Sequence, residues 1–172
     1  MSKYILEFEE PIRLLEDKIL SIENSSVEKS GQVNDSLTSL KYQLDNTKKE
    51  IYNNLTRWQK ILIARHPQRP HTSNYISNIT DRWIEIHGDR KFADDSSIMT
   101  GIAQIKNIQC VIIGQEKGRT TKEKMYRNFG MVKPEGYRKA LRVMKLAEKF
   151  NLPVITFIDT PGAYPGIGAE ER

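Results

Sequence analysis

Two stretches of this chain combine glycine and proline, the first with many basic residues as well, in a way that suits main-chain chemistry. "GQEKGRTTKEKMYRNFGMVKPEG" spans 114–136 and "DTPGAYPGIG" spans 159–168. Each follows an apolar, strand-like run, and open α/β sheets hold ligands at the carboxyl ends of neighbouring strands. Glycines let a ligand approach the backbone closely, and prolines hold loop shape with little entropy left to lose. Together the two stretches predict a preorganised pocket of backbone amides with a basic rim, suited to an anionic ligand.

Side-chain catalysis is harder to find. There is no GxSxG, and no Cys–His or Ser–His–Asp arrangement. Glu170 and Glu171 are adjacent, so on a helix they diverge by about 100° and do not share one proton. The histidines are His66, His71 and His87, with no HExxH spacing, and Cys110 is the only cysteine. No metal site and no intrachain disulfide are therefore expected. "DTPG" also occurs in GTP-binding proteins, and "GQEKGRTT" looks like a phosphate-binding loop upstream of it. The required GxxxxGK[ST] is not met, because three residues separate Gly114 from Gly118 and Arg119 stands where the lysine belongs.

The elements that must carry these loops follow from periodicity. Ile12, Leu15, Ile19 and Ile22 fall at helical spacing after Pro11. "NSSVEKSGQVNDS" reads as a polar loop. Leu37, Leu40, Leu44, Ile51, Leu55, Trp58 and Leu62 then form one long stripe, predicting two helices packed as an antiparallel hairpin over 1–64. Pro67 and Pro70 break the pattern. A connecting segment of helix and turns is expected over 65–96, with a helix from about Thr72 to Ile86 closed at "HGD". Over 97–172 the pattern changes to strands at 97–105 and 109–115, joined by the turn "KN" and antiparallel. A helix follows over 134–150, then "NLPVITFID" as a fully buried strand parallel to its predecessor. A last helix opens at Ala169. This is an α/β chain with a ββα unit that needs further repeats to cover its faces, so a truncated domain is expected.

The 172 residues are 38% apolar and carry a net charge of +5. That mild basicity fits an anionic partner such as a nucleotide, coenzyme or nucleic acid. Aromatic residues do not interleave with the basic ones as a nucleic-acid stacking platform requires, so a nucleic-acid or scaffold role ranks last. No apolar stretch approaches the ~20 residues of a membrane span. "MSKYILEFEEPIRLLEDK" is too acidic for a transit peptide and lacks a signal-peptide core.

"ARHPQRP" (64–70), "GQEKGRTTKEK" (114–124), "RNFGMVKPEGYRKALR" (127–142) and "ITFIDTPGAYPGIGAEER" (155–172) resemble the alpha-subunit family of the acetyl-coenzyme A carboxylase carboxyltransferase, in its bacterial and plastid multi-subunit form. The resemblance runs from "FEEPI" to the last residue, with long motifs in the family's order. It implies a crotonase-type fold of ββα units and a chain that is the N-terminal half of the family's. It also implies a reaction: transfer of a carboxyl group from carboxybiotin, held on a biotin carboxyl carrier protein, to acetyl-CoA, giving malonyl-CoA for fatty acid synthesis. The implied partners are a zinc-bearing beta subunit in an α2β2 assembly, the carrier protein, and the ATP-using biotin carboxylase. The implied setting is the bacterial cytoplasm or the plastid stroma.

In that chemistry the biotin ring nitrogen takes the proton from acetyl-CoA, so no acid–base side chain is called for. The oxyanions need amide N–H donors instead. The family's glycine-rich oxyanion segment lies beyond Arg172, so this stretch alone is expected to be inactive. By resemblance, Arg127 in "RNFG" approaches the transferred carboxylate or thioester carbonyl, with a surface salt bridge as the alternative for that side chain. Phe129, Gly130 and Met131 line the same wall, and Thr160, Pro161, Gly162 and Ala163 face the biotin ring. Lys117, Arg119 and Lys122 bind coenzyme phosphates or the carrier, or form a solvated basic face. A different crotonase-type acyl-CoA enzyme, a hydratase or isomerase, is the alternative reading.

Overall fold

In the computed structural model, residues 4–25 and 31–172 are described. The chain divides into two compact units, Met1–Arg69 and Pro70–Arg172.

In the first unit, α1 (Glu10–Ser25) buries Ile12, Leu15 and Ile19 against α2 (Gly31–Asn53). Three contacts fix their direction, the last of them to Glu9 just before α1. Lys41 pairs with Glu23 at 2.9 Å, Lys48 with Glu16 at 3.0 Å, and Tyr52 donates to Glu9 Oε1 at 2.6 Å. Partners that rise along one helix fall along the other, so the hairpin is antiparallel. Desolvation, followed by the Glu9 carboxylate, raises the Tyr52 phenol to about 12.

The long stripe predicted to Leu62 is not one helix. Asn54–Thr56 interrupt it, and α3 (Arg57–Ala64) starts afresh. Thr56 accepts the Gln59 N–H at 3.2 Å and Gln59 returns the bond to the Thr56 N–H at 2.8 Å. This reciprocal cap satisfies two donors that a helix start leaves open. Of the loop expected over 24–36, residues 26–30 lie outside the described residues, and α2 already runs from Gly31.

The second unit is built on four strands in the order β1 (Arg82–Glu85), β2 (Ile98–Ile105), β3 (Ile108–Gln115) and β4 (Val154–Phe157). β2 and β3 form the expected antiparallel hairpin, with Ile105 opposite Ile108. Its two-residue turn holds Lys106 at φ 53°, the left-handed geometry that matches strand twist. β4 runs parallel to β3, as expected, with Ile113 opposite Thr156. The crossover between them contains α5 (Thr121–Tyr126) and α6 (Pro134–Lys149).

Alternation along the strands makes two cores. Ile98, Val111 and Ile113 pack with Val132, just before α6, and with Ala140, Val143 and Ala147 of α6. Met99, Ala103, Cys110 and Ile112 form the other core with Ile76 of α4 (Thr72–Ile79). Cys110 is a buried free thiol there, and burial pushes its pKa up. Among the described residues, no helix is long and apolar enough to cross a membrane.

Two further expectations are overturned. The helix predicted from Thr72 to Ile86 stops at Ile79, and its remainder is β1, paired antiparallel with β2. Trp83 fits helical spacing by coincidence. Its ring fills the space where a Cβ on Gly101 would sit 2.6 Å away, so packing across the sheet decides the conformation. The β4 strand, predicted fully buried, alternates between exposed and half-buried, with Val154 41% exposed. It is the last strand of the described sheet, so only one of its sides is paired.

Polar bonds tie α6 to the turn that precedes β2. Arg138 reaches Asp89 at 2.7 Å, Lys139 bonds Asp94 and the Asp95 carbonyl, both at 2.6 Å, and Arg142 reaches the Gly88 carbonyl at 2.8 Å. Asp89 and Asp95 are buried, as is Lys139. Burial alone would raise the Asp94 carboxyl, but Lys139, the Gly88 N–H and His87 override it and hold it at about 2.

A carboxylate depressed by folding adds stability above its ordinary range and loses it as pH falls toward its folded value. At 40% exposure the gain is screened to about 1 kcal/mol. Asp94→Asn should cost that amount at pH 7, and denaturation at stepped pH should show the difference shrinking below about pH 4. A deficit independent of pH would contradict the assignment.

Candidate functional site

β3 and β4 are parallel neighbours, so the segments leaving Gln115 and Phe157 start at the same edge of the sheet. The chain binds these segments to each other. The Gln115 side chain accepts the Asp159 N–H at 2.9 Å. Lys117 forms an ion pair with the Asp159 carboxylate. Thr160 Oγ1 donates to the Gly130 carbonyl at 2.8 Å and accepts the Gly162 N–H at 3.2 Å. The Lys133 ammonium stands 5.8 Å from the centre of the Tyr164 ring, a cation–π contact.

The basic loop is rooted by Glu116, which is buried. Its carboxylate accepts the Ser73 N–H at 2.8 Å, the Gly118 N–H at 3.2 Å and lies 3.0 Å from His71 Nδ1. Burial would raise this carboxyl, but those donors hold it below its ordinary value. Gly118 turns at φ +75°, where a Cβ would meet the Glu123 backbone at 2.6 Å. Thr120 then caps α5. Glu123 N–H donates to Thr120 Oγ1 at 3.2 Å, and the Glu123 carboxylate accepts the Arg119 N–H at 2.8 Å. Those backbone donors lower the Glu123 pKa.

Beyond α5 the backbone is left-handed for three residues in succession: Asn128 at φ 44°, Phe129 at 56° and Gly130 at 79°. Gly130 and Met131 donate back to the Arg127 and Asn128 carbonyls, each at 2.9 Å, and the Asn128 amide reaches the Met131 carbonyl at 2.8 Å. A Cβ on Gly130 would lie 2.8 Å from the Lys117 stem, so glycine is required there for space as well as conformation. Phe129 has no such licence, and its ring is half exposed.

The structure gathers some of the expected site residues and separates others. Lys117, Gly130 and Thr160 meet at the junction of the two loops. Met131 is half-buried beside them in sequence, while Pro161, Gly162 and Ala163 are exposed on the second loop. Of these three, Pro161 has no N–H, the Gly162 N–H is turned onto Thr160, and only the Ala163 N–H finds no acceptor among the described residues. Arg119 is directed to the Asn74 side chain on α4 at 2.5 Å, and Lys122 is exposed on α5. Arg127 donates to the Ser96 carbonyl at 2.8 Å and lies 5.7 Å from the Tyr126 ring centre.

Sequence reading missed Gln115, Glu116 and Asp159 as organisers of the site. It also read α5 as loop, although Thr120 and Glu123 at capping-box spacing mark its start. Among the described residues no group of three His, Cys, Asp or Glu side chains is placed to hold a metal ion.

Residues 5–172 match the family described as acetyl co-enzyme A carboxylase carboxyltransferase-like. Over 172 residues the chain is 54% identical to the acetyl-coenzyme A carboxylase carboxyl transferase subunit alpha of Bordetella pertussis, covering 100% of this chain and 54% of that one. The same-named subunits of Azoarcus sp. and Carboxydothermus hydrogenoformans are each 52% identical over 100% of this chain, and 54% and 53% of theirs. The chain thus spans about half the length of the curated relatives it matches. Among solved structures, transcarboxylase 12S with methylmalonyl-coenzyme A and methylmalonic acid bound gives a TM-score of 0.49 at 18% identity, covering 62% of this chain and 19% of that one.

The left-handed Phe129 gives a direct test of the loop. An L-residue pays about 1–2 kcal/mol for this conformation, and glycine is relieved of it at some cost in chain entropy. Phe129→Gly should raise stability by about 1 kcal/mol in chemical denaturation. A loss of stability would show that the ring has a packing role in the fold.

Proposed function

This chain belongs to the acetyl-coenzyme A carboxylase carboxyltransferase alpha-subunit family, and on that premise we propose that it forms part of the surface that receives carboxybiotin. The reaction is carboxyl transfer from biotin on a carrier protein to acetyl-CoA, giving malonyl-CoA. The observation that carries this reading is the junction of the two strand-end loops, tied by Gln115, Lys117, Asp159 and Thr160. It supplies a rigid rim of main-chain groups, which suits chemistry that needs oriented donors more than a titrating side chain.

The carboxylated ring supplies the carboxyl group and the nitrogen that takes the methyl proton of acetyl-CoA. The residues of this chain bind and orient. Ala163 offers an open N–H at the mouth of the second loop, and Phe129 to Met131 wall the facing side. The Arg127 guanidinium has donors beyond the one committed to Ser96, and its planar fork suits a carboxylate. Arg119 and Lys122 serve the coenzyme phosphates or an acidic face of the carrier. Lys117, which already has a carboxylate partner, leaves that group.

The proposed partners are a beta subunit in an α2β2 assembly, the biotin carboxyl carrier protein, and biotin carboxylase, to which nucleotide binding belongs. Relatives from bacteria support a cytoplasmic setting in a bacterium. No comparison supports the plastid. The relatives' shared name favours carboxyl transfer over a crotonase-type hydratase or isomerase.

The test uses the full-length subunit assembled with its beta subunit, with the carboxylated carrier and acetyl-CoA supplied. Malonyl-CoA should form, and Arg127→Ala should lower kcat/KM about 10- to 100-fold, the loss of a charge-assisted hydrogen bond. An assembly that forms no malonyl-CoA overturns the proposed function. Transfer unaffected by Arg127→Ala removes that residue from the site.

A further inference from the structure

The Lys117–Asp159 pair stands apart from the other ion pairs of the second unit. The cations of α6 reach the turn before β2, and His71 reaches the root of a loop. Lys117–Asp159 joins the 114–136 stretch directly to the 159–168 loop, whereas the Arg172–Glu135 pair, at 3.2 Å, ties the first turn of α6 to the residue after the short helix Gly168–Glu171. Both side chains are about three-quarters shielded from solvent, so the attraction is stronger than that of an open surface pair.

The surroundings are shaped around this pair. Glu116 fixes the backbone next to Lys117 through Ser73 and Gly118. Gln115 fixes the backbone of Asp159 by accepting its N–H at 2.9 Å. Gly130 leaves the gap through which the Lys117 stem passes, since a Cβ there would sit 2.8 Å from Lys117 Cγ. Thr160, next to Asp159, then bonds the Gly130 carbonyl at 2.8 Å. Each partner of the pair therefore has a fixed root, and the lysine stem runs under the left-handed turn that presents Phe129.

We propose that Lys117 and Asp159 are positioning residues: their ion pair sets the separation of the two strand-end loops and so the width of the biotin-receiving rim. This rests on the proposed function and adds to it a device that neither loop contains alone. The pair touches no substrate. It acts through Gly130 and Phe129 on one side, and through Thr160 to Ala163 on the other.

Two readouts on the full-length assembly test it. The first is transfer in the reverse direction, with malonyl-CoA as donor and free biotin as acceptor. Lys117→Met and Asp159→Asn should each lower kcat/KM for biotin about tenfold, with KM for malonyl-CoA unchanged. The double variant should be no worse than either single one, because both remove the same tie. Multiplicative losses would overturn the proposal. So would a raised malonyl-CoA KM in Lys117→Met that Asp159→Asn does not share, since Lys117 would then be binding coenzyme phosphate.

The second readout needs no activity and covers the case in which wild-type transfer itself fails. In an assembly whose other accessible cysteines have been replaced, nitroxide labels on Lys124→Cys and Pro165→Cys, both exposed positions, report the distance between the loops, while Cys110 is buried. The distribution should be narrow with the pair intact and broaden in Asp159→Asn. An unchanged distribution overturns the clamp whatever the reaction proves to be.

Discussion

A parallel pair of strands cannot be joined by a tight turn, and that constraint organises the second unit. β3 and β4 lie side by side in the same direction, so the chain must leave the sheet after Gln115, cross one face and return before Val154. The crossover carries α6, whose apolar stripe of Ala140, Val143 and Ala147 covers Val111 and Ile113. The geometry has a second result. Adjacent strands are about 4.8 Å apart, so the loop that begins the crossover and the loop that follows β4 start as neighbours. The adjacency of the two loops comes from topology, and the side-chain bonds at the junction tie them to each other.

The crossover helix must also be held in register, and here charge does what apolar packing cannot. A greasy face can slide by a turn at modest cost, whereas Lys139, buried against Asp94 and the Asp95 carbonyl, has few other places to go. Asp89 shows the same logic. Burial alone would favour its neutral form, but the Lys91 and Phe92 N–H groups and the Arg138 guanidinium keep it ionised. Buried pairs of this kind add little net stability over apolar packing but penalise alternatives in which one partner is left alone. Asp95 extends the network to the site. It accepts the Ser97 N–H at 2.9 Å and the Lys133 N–H at 2.7 Å, which joins the start of β2 to the residue before α6. The exit of the basic loop is thereby anchored to the sheet.

What the sequence revealed of this arrangement followed from short-range physics. The hairpin at Lys106–Asn107, the proline that opens α6 and the parallel return of β4 are written in periodicity and turn residues. Where a longer-range partner decides, the reading failed. Trp83 has helical spacing from Ile76 and Ile79, and only the recess at Gly101 explains why it sits in a strand. The break before α3 and the start of α5 were within reach of the sequence, since Thr56 with Gln59 and Thr120 with Glu123 are capping boxes. They were hidden by an apolar stripe in one case and by a basic run in the other. The fate of Lys117 could not be read at all. A lysine in a basic loop looks free until folding brings Asp159 from the far side of the crossover. The glycines and prolines marked the two strand-end loops, while the bonds that join those loops emerged only in three dimensions.

The backbone at 128–130 departs from what local stability favours. Three left-handed residues in succession, one of them an exposed phenylalanine, are a poor choice for stability. Nothing in the hydrophobic cores requires Phe129, which belongs to neither apolar cluster. The turn is nevertheless bonded on both sides, by the Asn128 amide to Met131 and by Thr160 to Gly130. A strained segment held by this many bonds has been over-determined by its surroundings. With its ring half exposed, the strained turn holds an aromatic face out to solvent beside the junction of the two loops.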